Sequence, residues 1–142
     1  MKKVTKSSKK GFTLVELIVV LVILAVLAAM LVPALTGYIQ RARQEKDYQM
    51  AATVLTACQS AATYQYAYDT AGSTSYKIEG TTPSGNGVTV MDLIGDASGK
   101  VTDISFNANA KGVITDGTVK INGYTYSWTA SSATWTAAKA TT

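Results

Sequence analysis

The sequence predicts an α+β protein: a long N-terminal α-helix, apolar in its first half and amphipathic in its second, packed against a small antiparallel β-sheet head. Three observations carry that prediction. Phe12 to Leu35 is an apolar run interrupted only by Thr13, Glu16 and Pro33. Tyr38 to Asp69 mixes polar and apolar residues at helical spacing, with no Pro or Gly among them. Beyond Lys100 the pattern changes to period two and includes the hairpin dipeptide Asn122-Gly123.

The first half of the helix reads as a membrane span. At ~1.5 Å per residue, Phe12 to Leu35 exceeds the ~30 Å of a bilayer core, whereas the apolar part of a secretory signal is roughly 7–15 residues. Charge sets its orientation. Of the 13 basic side chains, five lysines (Lys2, Lys3, Lys6, Lys9, Lys10) precede Gly11 with no acid among them; without them, eight bases face 9 acids. Arg41, Arg43 and Lys46 follow the run but are offset by Glu45 and Asp47. The basic balance of the chain, +4, therefore belongs to its first residues and places the N-terminus in the cytoplasm.

Glu16 does not fit an ordinary anchor. A charge at the centre of a span costs ~2.5–3.5 kcal/mol on insertion scales, and less near the interface; intramembrane acids generally have a partner or a task. Its neighbours suggest which. The stretch KKGFTLVEL resembles the processing site of type IV pilins and pseudopilins, the class III signal of the type IV filament superfamily. The resemblance combines a basic leader, Gly, Phe, a Glu at fixed distance and an uninterrupted apolar run.

What the resemblance implies is specific. Lys9, Lys10 and Gly11 would be the recognition end of the leader, and a membrane prepilin peptidase would cut between Gly11 and Phe12. Phe12 would become the N-methylated amino terminus. Glu16 would neutralise the Phe12 amine of an adjacent subunit during assembly, since either charge alone is costly out of water. Pro33 falls where many pilins carry a helix-kinking proline. Many also carry a Gly earlier in the apolar helix; here Leu24 to Ala29 are good helix formers without one.

In the second half of the helix, Ile39, Ala42, Met50, Val54, Ala57 or Cys58, and Ala61 trace a narrow apolar stripe, and Arg41, Arg43, Glu45, Lys46 and Asp47 cluster near its start. Ala71 to Ser75 ends the helix with turn formers. Tyr76 to Val88 reads as a surface connection and "MDLIGD" as a short helical turn. Thr102, Ile104 and Phe106 alternate with Asp103 and Ser105; Gly112 to Thr115 reads as a second short strand. The Asn122-Gly123 hairpin puts Val119, Ile121, Tyr124, Tyr126 and Trp128 on one face, which should pack on the helix stripe. Trp135 marks a last edge strand.

Other chemistry has little support in the residues. There is no His, which removes the commonest general base, and Cys58 is the only cysteine, so no intrachain disulfide forms. Cys58 reads as a small buried hydrophobe. Asp92, Asp96, Ser98 and Asp103 are clustered oxygen ligands, but their spacing is not that of a calcium loop, and they read as solvated acids. Tyr and Trp side chains could stack on bases, yet most fall on the inner sheet face or the helix, where core packing explains them.

The expected organisation is a cleaved leader (1–11), a membrane and filament-core helix (12–37) and an extracellular head (38–142). The expected function, implied by the resemblance, is a structural subunit, the major pilin of a surface filament supporting adhesion, motility or DNA uptake. It would have no catalytic activity, metal, cofactor or specific nucleic acid. Its partners would be other copies of itself through the N-terminal helix, the prepilin peptidase, the assembly platform and ATPase, and the membrane. It would sit in the inner or cytoplasmic membrane before assembly and at the cell surface afterwards. The alternatives are a pseudopilin of a secretion or competence system, and a single-pass membrane protein with a small extracellular binding module.

Overall fold

A computed structural model describes residues 11–139, apart from the side chains of residues 96 and 97. Helix α1 runs Leu14–Tyr68 with Pro33 in its interior. Contacts within the chain form two compact units, one ending at Ala42 and the other beginning at Arg43.

In the first unit every residue from Gly11 to Ala42 is exposed. Its aliphatic side chains make a helix that is apolar all round, the pattern of a span rather than of a surface helix. Pro33 lacks the amide that would bond one turn back. Three residues on, the Thr36 hydroxyl donates to the Pro33 carbonyl at 2.9 Å. The same device recurs further along α1, where Thr53, Thr56 and Thr63 donate to the carbonyls of Gln49, Ala52 and Gln59.

In the second unit α1 buries Asp47, Ala51, Val54, Ala57, Cys58, Ala61 and Ala62. Small side chains at three- and four-residue spacing let a sheet lie close to the helix. The expected stripe is correct from Val54 onward but begins too early: Ile39 and Ala42 are exposed, and cover starts at Asp47. The reason is that the covering sheet ends at the turn that meets Asp47.

That sheet is five-stranded and antiparallel, built from β1 (Ser75–Glu79), β4 (Val101–Asn109), β5 (Ile114–Ile121), β6 (Tyr124–Thr129) and β7 (Thr134–Lys139) in the order β1-β4-β5-β6-β7. Between β1 and β4 lie a small hairpin, β2 (Pro83–Gly85) with β3 (Val88–Thr89), the short helix α2 (Val90–Leu93) and a 3₁₀ turn, Gly95–Gly99. The surface connection expected over residues 76–88 is therefore corrected. Its first part is an edge strand in which Ile78 is buried opposite Phe106, and its last part is a hairpin turning at Asn86-Gly87, both with positive φ. A five-residue strand with Lys77 and Glu79 facing out leaves too little apolar alternation to show.

The helical turn at α2 is as expected, with a capping box: the Asp92 amide donates to Thr89 Oγ1 and the Thr89 amide to Asp92 Oδ2. In β4 a register shift between Val101 and Asp103 buries Val101 and Ile104 and exposes Thr102, so the expected alternation fails at Thr102. The strand expected over 112–115 begins at Ile114 and continues unbroken to Ile121.

The Asn122-Gly123 hairpin is as expected, with φ of 50° and 81°, the mirror-image turn that matches strand twist. Val119, Ile121 and Tyr126 are buried, and Tyr124 and Trp128 are half-buried against the same core. Phe106 leans across Gly117, where a Cβ would run into its ring. The same ring meets Trp135 edge-on at 6.3 Å. No buried side-chain polar atom among the described residues lacks a partner.

Candidate functional site

The start of α1 brings together the described residues to which the sequence assigns processing and assembly. Gly11, Phe12 and Thr13 are non-helical, and Phe12 is 84% exposed. The Gly11-Phe12 peptide bond thus lies in non-helical, accessible chain ahead of the first helical turn. A Cβ on Gly11 would meet no atom within 4 Å, so nothing in this fold demands Gly there. Lys9 and Lys10 lie outside the described residues.

Thr13 is the N-cap of α1, and Glu16 is three residues on. The Thr13 amide donates to Glu16 Oε2 at 2.9 Å, and the Glu16 amide donates to Thr13 Oγ1 at 3.2 Å. The pair forms a capping box that satisfies two amide donors the helix itself cannot. The positive end of the helix dipole favours a carboxylate at this position.

The cost of Glu16 in an apolar run is thus partly offset within its own chain. The family resemblance implies a partner in a neighbouring subunit, and Thr13 is a further one within the chain. The signal was legible in Thr13-Leu14-Val15-Glu16, the T-x-x-E pattern of an N-terminal cap. The hydrogen bonds described engage Oε2 of the carboxylate, which leaves Oε1 for a further donor. The Thr13 amide belongs to the Phe12-Thr13 bond, so cleavage after Gly11 would leave the box intact.

From Leu14 to Leu35 the large apolar side chains are all exposed. Such a surface needs lipid or other protein against it. By length and composition α1 contains a stretch able to cross a membrane. Pro33 lies in this segment, within α1.

The head holds a second polar arrangement that sequence reasoning misplaced. The sequence groups Asp47 with the charged residues near the start of the stripe, but it is 5% exposed and belongs to the core. Asn122 Nδ2 donates to its Oδ1 at 2.8 Å, and the Tyr126 hydroxyl donates to its Oδ2 at 3.0 Å. Burial, and then the bond to Asp47, push the Tyr126 hydroxyl above its ordinary range, so it stays a donor. Asp47 is in register with Ala51, Val54, Cys58 and Ala61, which is the signal that could have found it. The arrangement ties the β5–β6 turn to α1 and leaves no open position for a substrate.

The remaining candidates are structural. Cys58 is buried, and burial pushes its thiol up to about 12, far from a reactive thiolate. Asp92 is engaged in the α2 cap. Among the described residues no three His, Cys, Asp or Glu side chains stand close enough to hold a metal.

Residues 6–32 match the prokaryotic N-terminal methylation motif. No curated protein and no solved structure matches the chain. The motif is a class III signal, which implies processing by a prepilin peptidase in the setting of a pilus or secretion assembly. A long N-terminal helix and a small antiparallel sheet complete an α+β layout that matches the type IV pilin fold.

Proposed function

We propose that this chain, a type IV pilin- or pseudopilin-type protein by its signal and its layout, is the major structural subunit of a surface filament serving adhesion, motility or DNA uptake. The observation that carries the reading is the apolar helix, exposed along its length and headed by Phe12 and Glu16. Before assembly the bilayer would cover that helix; in a filament the same surface of other copies would replace the lipid. We assign residues 1–11 to a leader, 12–37 to the membrane and filament-core helix, and 38–142 to the exported head. Lys9, Lys10 and Gly11 would be read by the peptidase, Phe12 methylated, and Pro33 would bend α1. The chain needs no catalytic residue for this role.

Glu16 Oε1 supports the assembly step, because it can accept from the Phe12 amine of a neighbouring copy while Oε2 stays in the cap. The neighbours would then be joined at one height along the filament. The experiment is intact-mass analysis of sheared surface material beside the membrane fraction. Abundant filaments of this subunit, lacking Met1–Gly11 and carrying one methyl on Phe12, are the expected result. Subunit retaining Lys2 would overturn the reading. Processed subunit confined to the membrane would favour a pseudopilin.

A further inference from the structure

The last turn of α1 ends without a basic residue. Helix C-termini carry partial negative charge and commonly attract Lys or Arg. Here the next residue is instead an acid, Asp69. Its Oδ1 accepts from the Ala71 amide at 2.8 Å; its Oδ2 accepts from the Ser73 amide at 2.6 Å and the Tyr76 hydroxyl at 2.7 Å. Three donors fix the carboxylate, but none is a cation, so its charge is oriented and not neutralised.

The carboxylate borders a cleft of about 400 Å³ whose lining includes Tyr64, Tyr68, Tyr76 and Pro83 and contains no Lys or Arg. Tyr64 and Tyr68 stand one helical turn apart, with ring centres 4.5 Å from each other at 42°. Gly85 closes on the Tyr64 ring, where an added Cβ would come within 3.3 Å of it. Three tyrosine rings, an oriented carboxylate and the end of a helix border one small space, and the carboxylate and helix end give it negative potential.

That combination selects a class of ligand. Calcium takes 6–8 oxygens, and one carboxylate cannot supply them. A neutral sugar would use the ring faces but leave the charge uncompensated. A cation with a thin hydration shell uses both. We propose that this cleft binds an organic cation of the trimethylammonium class, held against the tyrosines by cation–π attraction and by the Asp69 carboxylate. The cation is either a free small molecule or the headgroup of a lipid, since both present the same chemistry.

The Tyr76 hydroxyl, with the Ser73 and Ala71 amides, holds the Asp69 carboxyl well below the usual carboxylate range. The charge is therefore present throughout the mildly acidic range. Asp69 in turn pushes the Tyr76 hydroxyl up to about 12, which keeps it protonated and donating.

The experiment uses the full chain in maltoside micelles with carbon-13 in its tyrosine rings. Tetramethylammonium chloride should shift the Tyr64, Tyr68 and Tyr76 signals saturably, equally at about pH 5 and about pH 7, whereas sodium chloride at matched ionic strength should not. Tyr68→Ala and Asp69→Asn should each weaken the apparent affinity about three- to tenfold. Tyr68 is 71% exposed, so its variant folds and decides the matter even if Asp69→Asn does not. Shifts that sodium reproduces, an unchanged affinity in Tyr68→Ala, or saturation by glucose in place of the cation would each overturn the proposal. Choline chloride set against micelles doped with a phosphocholine lipid separates the two sources.

Discussion

The Tyr126 hydroxyl reaches across the seam between sheet and helix and donates to Asp47 Oδ2 at 3.0 Å. Tyr126 is among the largest fully buried side chains, and its ring meets Tyr48 edge-on at 5.3 Å. The bond therefore fixes the β6 strand against the helix at the place where the core begins. Asp47→Ala should cost about 2–4 kcal/mol, because it removes an acceptor of two hydrogen bonds and leaves the Tyr126 hydroxyl buried without one. Tyr126→Phe should cost less, about 1–2 kcal/mol, since Asn122 still serves Asp47. Denaturant unfolding of both single variants and the double variant checks this. The double should fall short of the sum by roughly 1 kcal/mol, and strict additivity would show that the two groups do not interact.

Glu16→Gln separates the cap from the charge. The amide oxygen can still accept from the Thr13 amide, so the helix start should survive, while the carboxylate offered to a neighbouring Phe12 amine is lost. Sheared filament yield should collapse as cleaved subunit accumulates in the membrane. Thr13→Val does the converse, weakening the helix start by about 1 kcal/mol and keeping the charge. Its filaments should persist; if they vanish instead while Glu16→Gln assembles normally, capping is the function of Glu16.

Gly117→Ala should destabilise the head by about 1–3 kcal/mol, the usual cost of forcing extra volume into a packed core. The methyl would collide with Phe106, and that ring cannot retreat without disturbing Trp135. A thermal melt followed by tryptophan fluorescence reads both effects. An unchanged transition would mean that the ring does not lie over Gly117.

Cys58 should resist alkylation in the folded protein. Its thiol is buried and pushed up to about 12, so thiolate is scarce at neutral pH and gains little as pH rises towards about 9. Iodoacetamide labelling should be complete in denaturant and slow without it. Fast labelling of the native chain would place Cys58 at the surface.

How much was legible followed from signal length. The apolar run, the KKGF junction and Glu16 are contiguous in the chain, and the Asn122-Gly123 turn declares its own geometry. Long-range pairing was not legible. Nothing local to Ser75–Glu79 says that it will pair with β4, and nothing local to Asp47 says that Asn122 and Tyr126 will arrive from the far end of the chain to satisfy it. A charge on an apolar stripe reads as a boundary until its partners are known. The capping box at Thr13 is legible in the sequence as T-x-x-E, although the charge of Glu16 in an apolar run points first to a partner outside the chain.

The strand order has a consequence for how the head comes into being. From β5 to β7 each strand pairs with the one made just before it, and only β1 waits, for β4. No segment must be threaded between strands already paired, and each new strand needs only the open edge left by its predecessor. Contacts between near neighbours in sequence close quickly, because little loop entropy is lost. A chain emerging N-terminus first could therefore add its sheet strand by strand, with Tyr126 closing onto Asp47 only once β6 is out. Truncation beyond Thr129 should then remove an edge and leave the central pairing, whereas truncation before Tyr124 should also remove the hydroxyl that serves Asp47 and leave β5 as an open edge.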